Sequence, residues 1–335
     1  MKPFHQLSRL GKARRMRPLA LRALEQYDLQ VTGLELVGVF TNMLFRVRTA
    51  GGVSYLLRVC APGWRTDEDL RSEAAWLQYL ANDPAIGAPR PLPARDGDYL
   101  VTASHPNFPR PQRCMLMSWV PGKLLARHLD EPHLAKMGAL FARLHLSSAA
   151  FLPPPGFTQL RLERVLARGE QEVLFNEASR EAFSPANLAI FEQVDARVRA
   201  AYQLLYADPA GLRVIHHDLH HENINVFRGR LYPLDFEDTA WGYPVQDIAM
   251  ALQDLWLEVG RGDYERLLAA FRRGYEELAA WPEAYPEEID TLRAGRMLWV
   301  SNFVAHHERQ HLATHVERTA PVFQRFLETG QIRKA

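Results

Sequence analysis

Between Val214 and Glu237 the chain gathers groups that bind cations or move protons: His216, His217, Asp218, His220, His221, Glu222 and Asn223, then Asp235 and Glu237. The apolar runs on either side of Arg228-Gly229-Arg230 read as a β-hairpin with Gly229 at its tip. Asn223 and Asp235 each stand six residues from that tip, so antiparallel pairing sets them face to face at the open end. One amide oxygen and one carboxylate there, with Asp218 on the preceding loop, make a hard-oxygen site suited to Mg²⁺. Mg²⁺ needs only one or two protein ligands beside phosphate oxygens and water, so this sparse set points to a nucleotide site rather than a calcium cage. The four histidines with Asp218 and Glu222 offer a second chemistry, that of a zinc or iron site in a metallohydrolase. Against it, i, i+4 pairs converge only on a helix, and the flanking β runs make this stretch a loop.

A second pair of charges stands where apolar residues belong. Thr66 and Asp69 form a capping-box-like start to a helix whose apolar positions are Leu70, Ala74, Leu77 and Leu80. A 100° step per residue puts Glu73 on the core side, between Leu77 and Leu80. The strand Tyr55 to Cys60 is apolar on both faces except at Arg58. An Arg58–Glu73 ion pair satisfies both charges. Such a pair, strand cation to helix carboxylate in a small lobe, is the arrangement that holds nucleotide phosphates in kinases. The alternative is a half-exposed Arg at a sheet edge and a Glu on a helix shoulder.

The elements that must position these groups change character along the chain. Leu34 to Phe40, Met43 to Thr49, Val53 to Cys60, Tyr99 to Ala103 and Cys114 to Val120 are β-type runs that fit one five-stranded antiparallel sheet. After Pro121-Gly122 helical periods dominate, among them a long run opened by Ser184-Pro185, with Val214 to Leu234 as a β interlude. The fold class is therefore α+β: a small sheet lobe over 1–117, a hinge at 118–122, and a larger, mostly helical lobe over 123–335. Residues 1–18 are basic, carry no apolar block and read as a mobile arm. His307, His311 and His315 fall at helical spacing, as a solvated stripe or as part of an acceptor pocket.

Composition removes other classes. The 335 residues carry a formal net charge of +1, which denies the chain the strongly basic face of a nucleic-acid binder. No apolar run is long enough for a membrane span, so no membrane partner is expected. Cys60 and Cys114 lie in apolar stretches and no signal-type segment precedes them, which reads as buried, reduced thiols of a cytoplasmic protein.

Taken in order, His216-x-Asp218-x-x-x-x-Asn223, Asp235-Phe236-Glu237 and Gly242-x-Pro244-x-x-Asp247-Ile248-Ala249 resemble the aminoglycoside phosphotransferase and choline kinase family, small-molecule relatives of the protein kinase fold. The resemblance extends to Asn42, Leu57-Arg58-Val59, Glu73, the Met117 to Gly122 hinge and Arg143-Leu144-His145, from about residue 20 onward. It implies a bilobal, protein-kinase-like fold and transfer of the γ-phosphate of ATP, with Mg²⁺, to a small-molecule hydroxyl. Asp218 would then orient the acceptor hydroxyl and take its proton. Asn223 and Asp235 would bind Mg²⁺, and Glu73 would hold the phosphate-binding cation Arg58. Asn42 would belong to the nucleotide loop, and backbone groups of Ser118 and Val120 would meet the adenine. His216 is structural support, and Asp247 resembles the buried carboxylate that receives N–H groups of the catalytic loop. Arg58 stands where kinases have Lys, which allows bidentate phosphate contact. The acceptor is not legible: an aminoglycoside, choline, homoserine or a sugar all fit, as does a protein Ser/Thr. A nucleotide-binding module without turnover is the remaining alternative.

Overall fold

The computed structural model describes residues 6–106 and 108–333. They divide into two units, one running to Pro121 and also taking Leu152–Thr158, the other made of Gly122–Phe151 and the chain from Gln159 onward. The segment 152–158 thus leaves the helical part to which sequence order assigns it; the Thr158 N–H donates to Ser72 Oγ in the first unit, at 2.8 Å.

The first unit opens with a helix where a mobile arm was expected. In α1 (Arg9–Leu24), Met16, Leu19, Ala20, Ala23 and Leu24 are spaced i, i+3, i+4, i+7, i+8 and are buried, while Ser8 caps the start by accepting from the Gly11 N–H. The basic residues describe the outer face of this helix, and its apolar face begins only at Met16; residues 1–5 of the expected arm lie outside the described residues. Next come β1 (Val31–Val39), β2 (Met43–Thr49), β3 (Ser54–Val59), α2 (Asp67–Leu80), β4 (Leu100–Ala103) and β5 (Gln112–Ser118). The sheet is antiparallel throughout, in the order β1-β2-β3-β5-β4. Its core joins Phe45, Val47, Leu57 and Leu116 to Leu19 and Leu24 of α1. Cys60 and Cys114 are buried and free. The expected capping box of α2 is present, with Thr66 Oγ1 accepting from the Asp69 N–H and the Asp69 carboxylate accepting from the Thr66 N–H.

The second unit runs β6 (Lys123–Leu124), α3 (Glu131–Ala150), β7 (Leu160–Arg161), α4 (Glu177–Arg180), α5 (Pro185–Ala207), β8 (Arg213–Ile215), β9 (Ile224–Phe227), β10 (Arg230–Pro233), β11 (Ala240–Gly242), α6 (Pro244–Glu258), α7 (Arg261–Glu276), α8 (Glu288–His307) and α9 (Leu312–Thr329). Two small sheets, β10-β9-β6 and β7-β11-β8, sit among the helices. Helices α3 and α7 approach backbone to backbone: a Cβ on Gly138 would lie 1.9 Å from the Phe271 carbonyl oxygen, and one on Gly274 would lie 1.8 Å from that of Ala135. The histidine stripe does not form on one helix. His307 ends α8, His311 sits in a 3-10 turn and His315 lies in α9, because the backbone leaves helical geometry at Glu308.

The β9–β10 hairpin turns on Arg228 and Gly229, whose φ angles of 49° and 74° make the two-residue left-handed turn that matches strand twist. Its centre falls between those residues and not on Gly229, which shifts the register by one. Phe227 pairs with Arg230 and Ile224 with Pro233, and the Leu234 N–H then donates to the Asn223 carbonyl at 2.8 Å. Asn223 therefore opposes Leu234, and Asp235 lies one residue beyond, not face to face with it as expected.

Candidate active site

The loop after β8 is held from one buried carboxylate. Asp247, in the first turn of α6, accepts from the backbone N–H of His216 at 3.3 Å and of His217 at 2.7 Å. His217 has φ 63°, so the chain turns there in a left-handed conformation that this bond sustains. Asp247 is fully buried and also accepts from His145 Nε2 at 3.1 Å, while His145 Nδ1 takes the Tyr275 hydroxyl at 3.0 Å. His145 is thus a hydrogen-bonded core residue joining α3, α6 and α7. His216 donates from Nε2 to the Leu234 carbonyl at 2.8 Å, so its Nδ1 is the acceptor for the Asp218 N–H at 3.3 Å. Burial holds the His216 imidazole below its ordinary pKa and hence neutral.

These bonds present the Asp218 side chain, which keeps 22% of its surface exposed. Its Oδ2 accepts from Asn223 Nδ2 at 3.0 Å, and its Oδ1 lies 3.5 Å from Arg296 Nη2. Burial first, and then the charge of Asp238, raise its carboxyl to about 7, against the opposing pull of Arg296 and Arg168. Asn223 Nδ2 also donates to the Asp218 carbonyl at 2.8 Å. Among the described residues all contacts of its side chain use the nitrogen, so the amide oxygen is the end left for a cation. Asp235 is exposed and left-handed, with φ 57°, at the same end of the hairpin. An amide oxygen and a carboxylate are the donor class that Mg²⁺ takes. Of the neighbouring histidines, His216 is tilted against Phe236 and His221 meets His220 edge to face, while His220 Nε2 stays at the site, 3.3 Å from Asn223 Nδ2 and 3.7 Å from Asp218 Oδ2. Among the described residues no group of three or more His, Cys, Asp or Glu is arranged to hold a metal ion, which counts against the zinc or iron reading.

In the first unit Arg58 and Glu73 meet as a bidentate pair: Nη1 reaches Oε1 at 2.9 Å, and Nη2 bonds Oε2. Both side chains are 3% exposed, so neither the sheet-edge Arg nor the shoulder Glu of the alternative exists. The fork that could have gripped a phosphate bidentately faces Glu73 instead. Asn42 is buried in the β1–β2 turn, its Oδ1 accepting from the Ala61 N–H at 2.9 Å. Ser118 donates its N–H to the Arg90 carbonyl at 2.8 Å and accepts from the Arg90 N–H on Oγ, so no N–H of Ser118 remains for a base. Val120 follows it at the end of this unit.

Three residues around Asp218 carried no sequence signal. Arg168 and Arg296 both lie over the Trp299 ring, at 4.0 and 4.5 Å from its centroid. The Trp299 Nε1–H donates to Glu170 Oε1 at 2.6 Å, which fixes the indole. They line a small cavity with Tyr202 and His217.

The profile of the family described as "Phosphotransferase enzyme family" matches residues 33–286 of this chain. Amicoumacin kinase of Bacillus subtilis (strain 168) is 26% identical over 257 residues, which cover 73% of this chain and 72% of that protein. Among solved structures, a microcompartment-associated aminopropanol kinase superposes with a TM-score of 0.74 at 19% identity, covering 95% of this chain and 99% of that one. Amicoumacin kinase hAmiN, in complex with AMP-PNP, Ca²⁺ and Ami, gives 0.72 at 16% identity, covering 94% and 96%.

Proposed function

Because the chain belongs to the phosphotransferase enzyme family, we propose that it moves the γ-phosphoryl of ATP, in a Mg²⁺-dependent reaction, to a hydroxyl of a small molecule, with Asp218 as the catalytic base. The observation that carries this reading is the setting of Asp218: a carboxylate on a loop pinned by Asp247, partly exposed and raised toward neutrality. Phosphoryl transfer asks the protein for positioning and charge neutralisation more than covalent chemistry. Asp218 would orient the acceptor hydroxyl and take its proton as the acceptor oxygen bonds to phosphorus and the bond to the β,γ-bridging oxygen breaks. Asn223, through its amide oxygen, and Asp235 would hold Mg²⁺. When bound, that ion supplies charge neutralisation at the nucleotide phosphates. In the first unit Arg58, fixed by Glu73, would offer a cation to those phosphates; Asn42 would hold the nucleotide loop in shape, and the Ser118 and Val120 backbone would border the adenine. His216 and Asp247 support the loop without touching the reactants.

The test is Asp218→Asn, which keeps shape and the Asn223 contact distance while removing the base. We expect ADP release with a working acceptor to fall by about 10²- to 10⁴-fold, while calorimetric affinity for AMP-PNP with Mg²⁺ stays within about threefold of wild type. Unchanged turnover in the variant would remove Asp218 from its role.

A further inference from the structure

The second unit holds two cations beside Asp218 that the phosphotransfer reading does not use. Among the described residues the Arg168 guanidinium makes no hydrogen bond or ion pair; its contact is the Trp299 ring at 4.0 Å. The acidic groups whose charge reaches it are Asp238 and Asp218, and neither bonds it. Glu170 accepts from the Trp299 Nε1–H and from the Arg168 backbone N–H, with no bond to the Arg168 guanidinium. Arg296 reaches Asp218 only at 3.5 Å, and its Nη1 is buried without a hydrogen-bond partner. Arg168 is half-buried, and desolvation and next the like charge of Arg296 weigh against its cation, yet a guanidinium keeps its proton in proteins, so the pair presents positive charge toward the cavity with no carboxylate bonded to Arg168. The cavity that both residues line with Tyr202, His217 and Trp299 measures about 30 Å³, space for about two waters or one planar head group.

We propose that the acceptor bears a carboxylate as well as its hydroxyl, and that Arg168 and Arg296 receive that carboxylate on the Trp299 platform, which sets the hydroxyl near Asp218. This rests on the kinase reading above for the role of the hydroxyl. The guanidinium fork matches a carboxylate in plane and in donor spacing, whereas a polycationic acceptor would meet two like charges at the same place. Arg168 and Arg296 are then positioning and specificity residues.

Glycolate, the smallest hydroxycarboxylate, and ethylene glycol, its uncharged counterpart, are the probes. At equal ionic strength glycolate should protect the full chain against thermal unfolding and ethylene glycol should not. Its affinity should weaken by about tenfold or more in Arg168→Gln and recover in part in Arg168→Lys. With ATP and Mg²⁺, glycerate or gluconate should exceed glycerol or sorbitol by about tenfold or more in kcat/KM. Protection by AMP-PNP with Mg²⁺, measured beside these, tests the kinase reading alone. If it persists while glycolate and ethylene glycol behave alike, the carboxylate assignment falls and the kinase reading stands. If Arg168→Gln weakens AMP-PNP and leaves glycolate untouched, the pair serves the nucleotide phosphates and the assignment also falls. The wild-type comparison of the two probes decides the matter even where a variant does not fold.

Discussion

Replacing Glu73 by Gln asks what the buried Arg58–Glu73 pair does. The substitution keeps the side-chain shape and one acceptor oxygen, and strands a guanidinium whose side chain is 3% exposed. Removing one member of a buried ion pair leaves an uncompensated charge and costs about 3–5 kcal/mol. At about 2–4 °C per kcal/mol for a domain of 150–250 residues, the melting temperature should drop by roughly 6–20 °C, read by circular dichroism or dye-based melting. The companion is Arg58→Met with Glu73→Leu, which removes both charges and fills the same space. Such replacements are neutral or stabilising by about 1–4 kcal/mol in other buried pairs, so the double variant should melt near wild type. If Arg58 serves the nucleotide, the double variant stays folded and still fails: KM for ATP rises by about tenfold or more. A melting temperature for Glu73→Gln within about 2 °C of wild type would refute the burial reasoning. Wild-type turnover in the double variant would reduce the pair to a fold element.

Asp235→Asn should weaken AMP-PNP binding in the presence of Mg²⁺ and leave Mg²⁺-free binding alone; equal loss with and without the ion would take Asp235 out of the cation site. Asp247→Asn keeps the volume but turns an N–H₂ toward one of its three donors, His216 N–H, His217 N–H or His145 Nε2, at a cost of about 1–3 kcal/mol. Thermal melting should register that loss, and kcat should fall more than KM for ATP, because the loop that carries Asp218 loses its anchor. Gly274→Ala puts a methyl 1.8 Å from the Ala135 carbonyl oxygen, so α3 and α7 must part. Overpacking of this kind costs about 1–3 kcal/mol or more, and a variant as stable as wild type in urea would show that the helix contact yields freely.

The groups that local pattern could reach were those whose neighbours in sequence are also their constraints. Glu73 is legible because the apolar turn positions around it fix which way it faces, and Arg58 because a strand apolar on both sides has no exit for a cation. The capping box at Thr66 and the Arg228-Gly229 turn are likewise local chemistry. The turn's centre escaped by half a residue, which was enough to move Asp235 out of line with Asn223: turn type sets register, and the tip residue alone does not. Helix α1 was hidden because composition averaged over Met1–Pro18 mixes a solvent face with the first residue of a core face. Arg168 and Arg296 had no such local mark. They come from segments 128 residues apart in the chain and meet only through Trp299, and nothing in their immediate sequence separates them from the many arginines on the surface.

The chain of bonds from Tyr275 through His145 to Asp247 and on to His216 and His217 grips the loop that carries Asp218, with one member each from α7, α3 and α6. The Trp299 indole is fixed separately, by Glu170, although His217 lines the same cavity. On the proposed reading, support of Asp218 and reception of the acceptor fall to different groups around one short stretch of backbone, with Arg296, 3.5 Å from Asp218, touching both. On that reading an engineer seeking a new acceptor would begin at Trp299 and Arg168, since Arg296 also touches Asp218 and the bonds from Asp247 hold the loop that carries it.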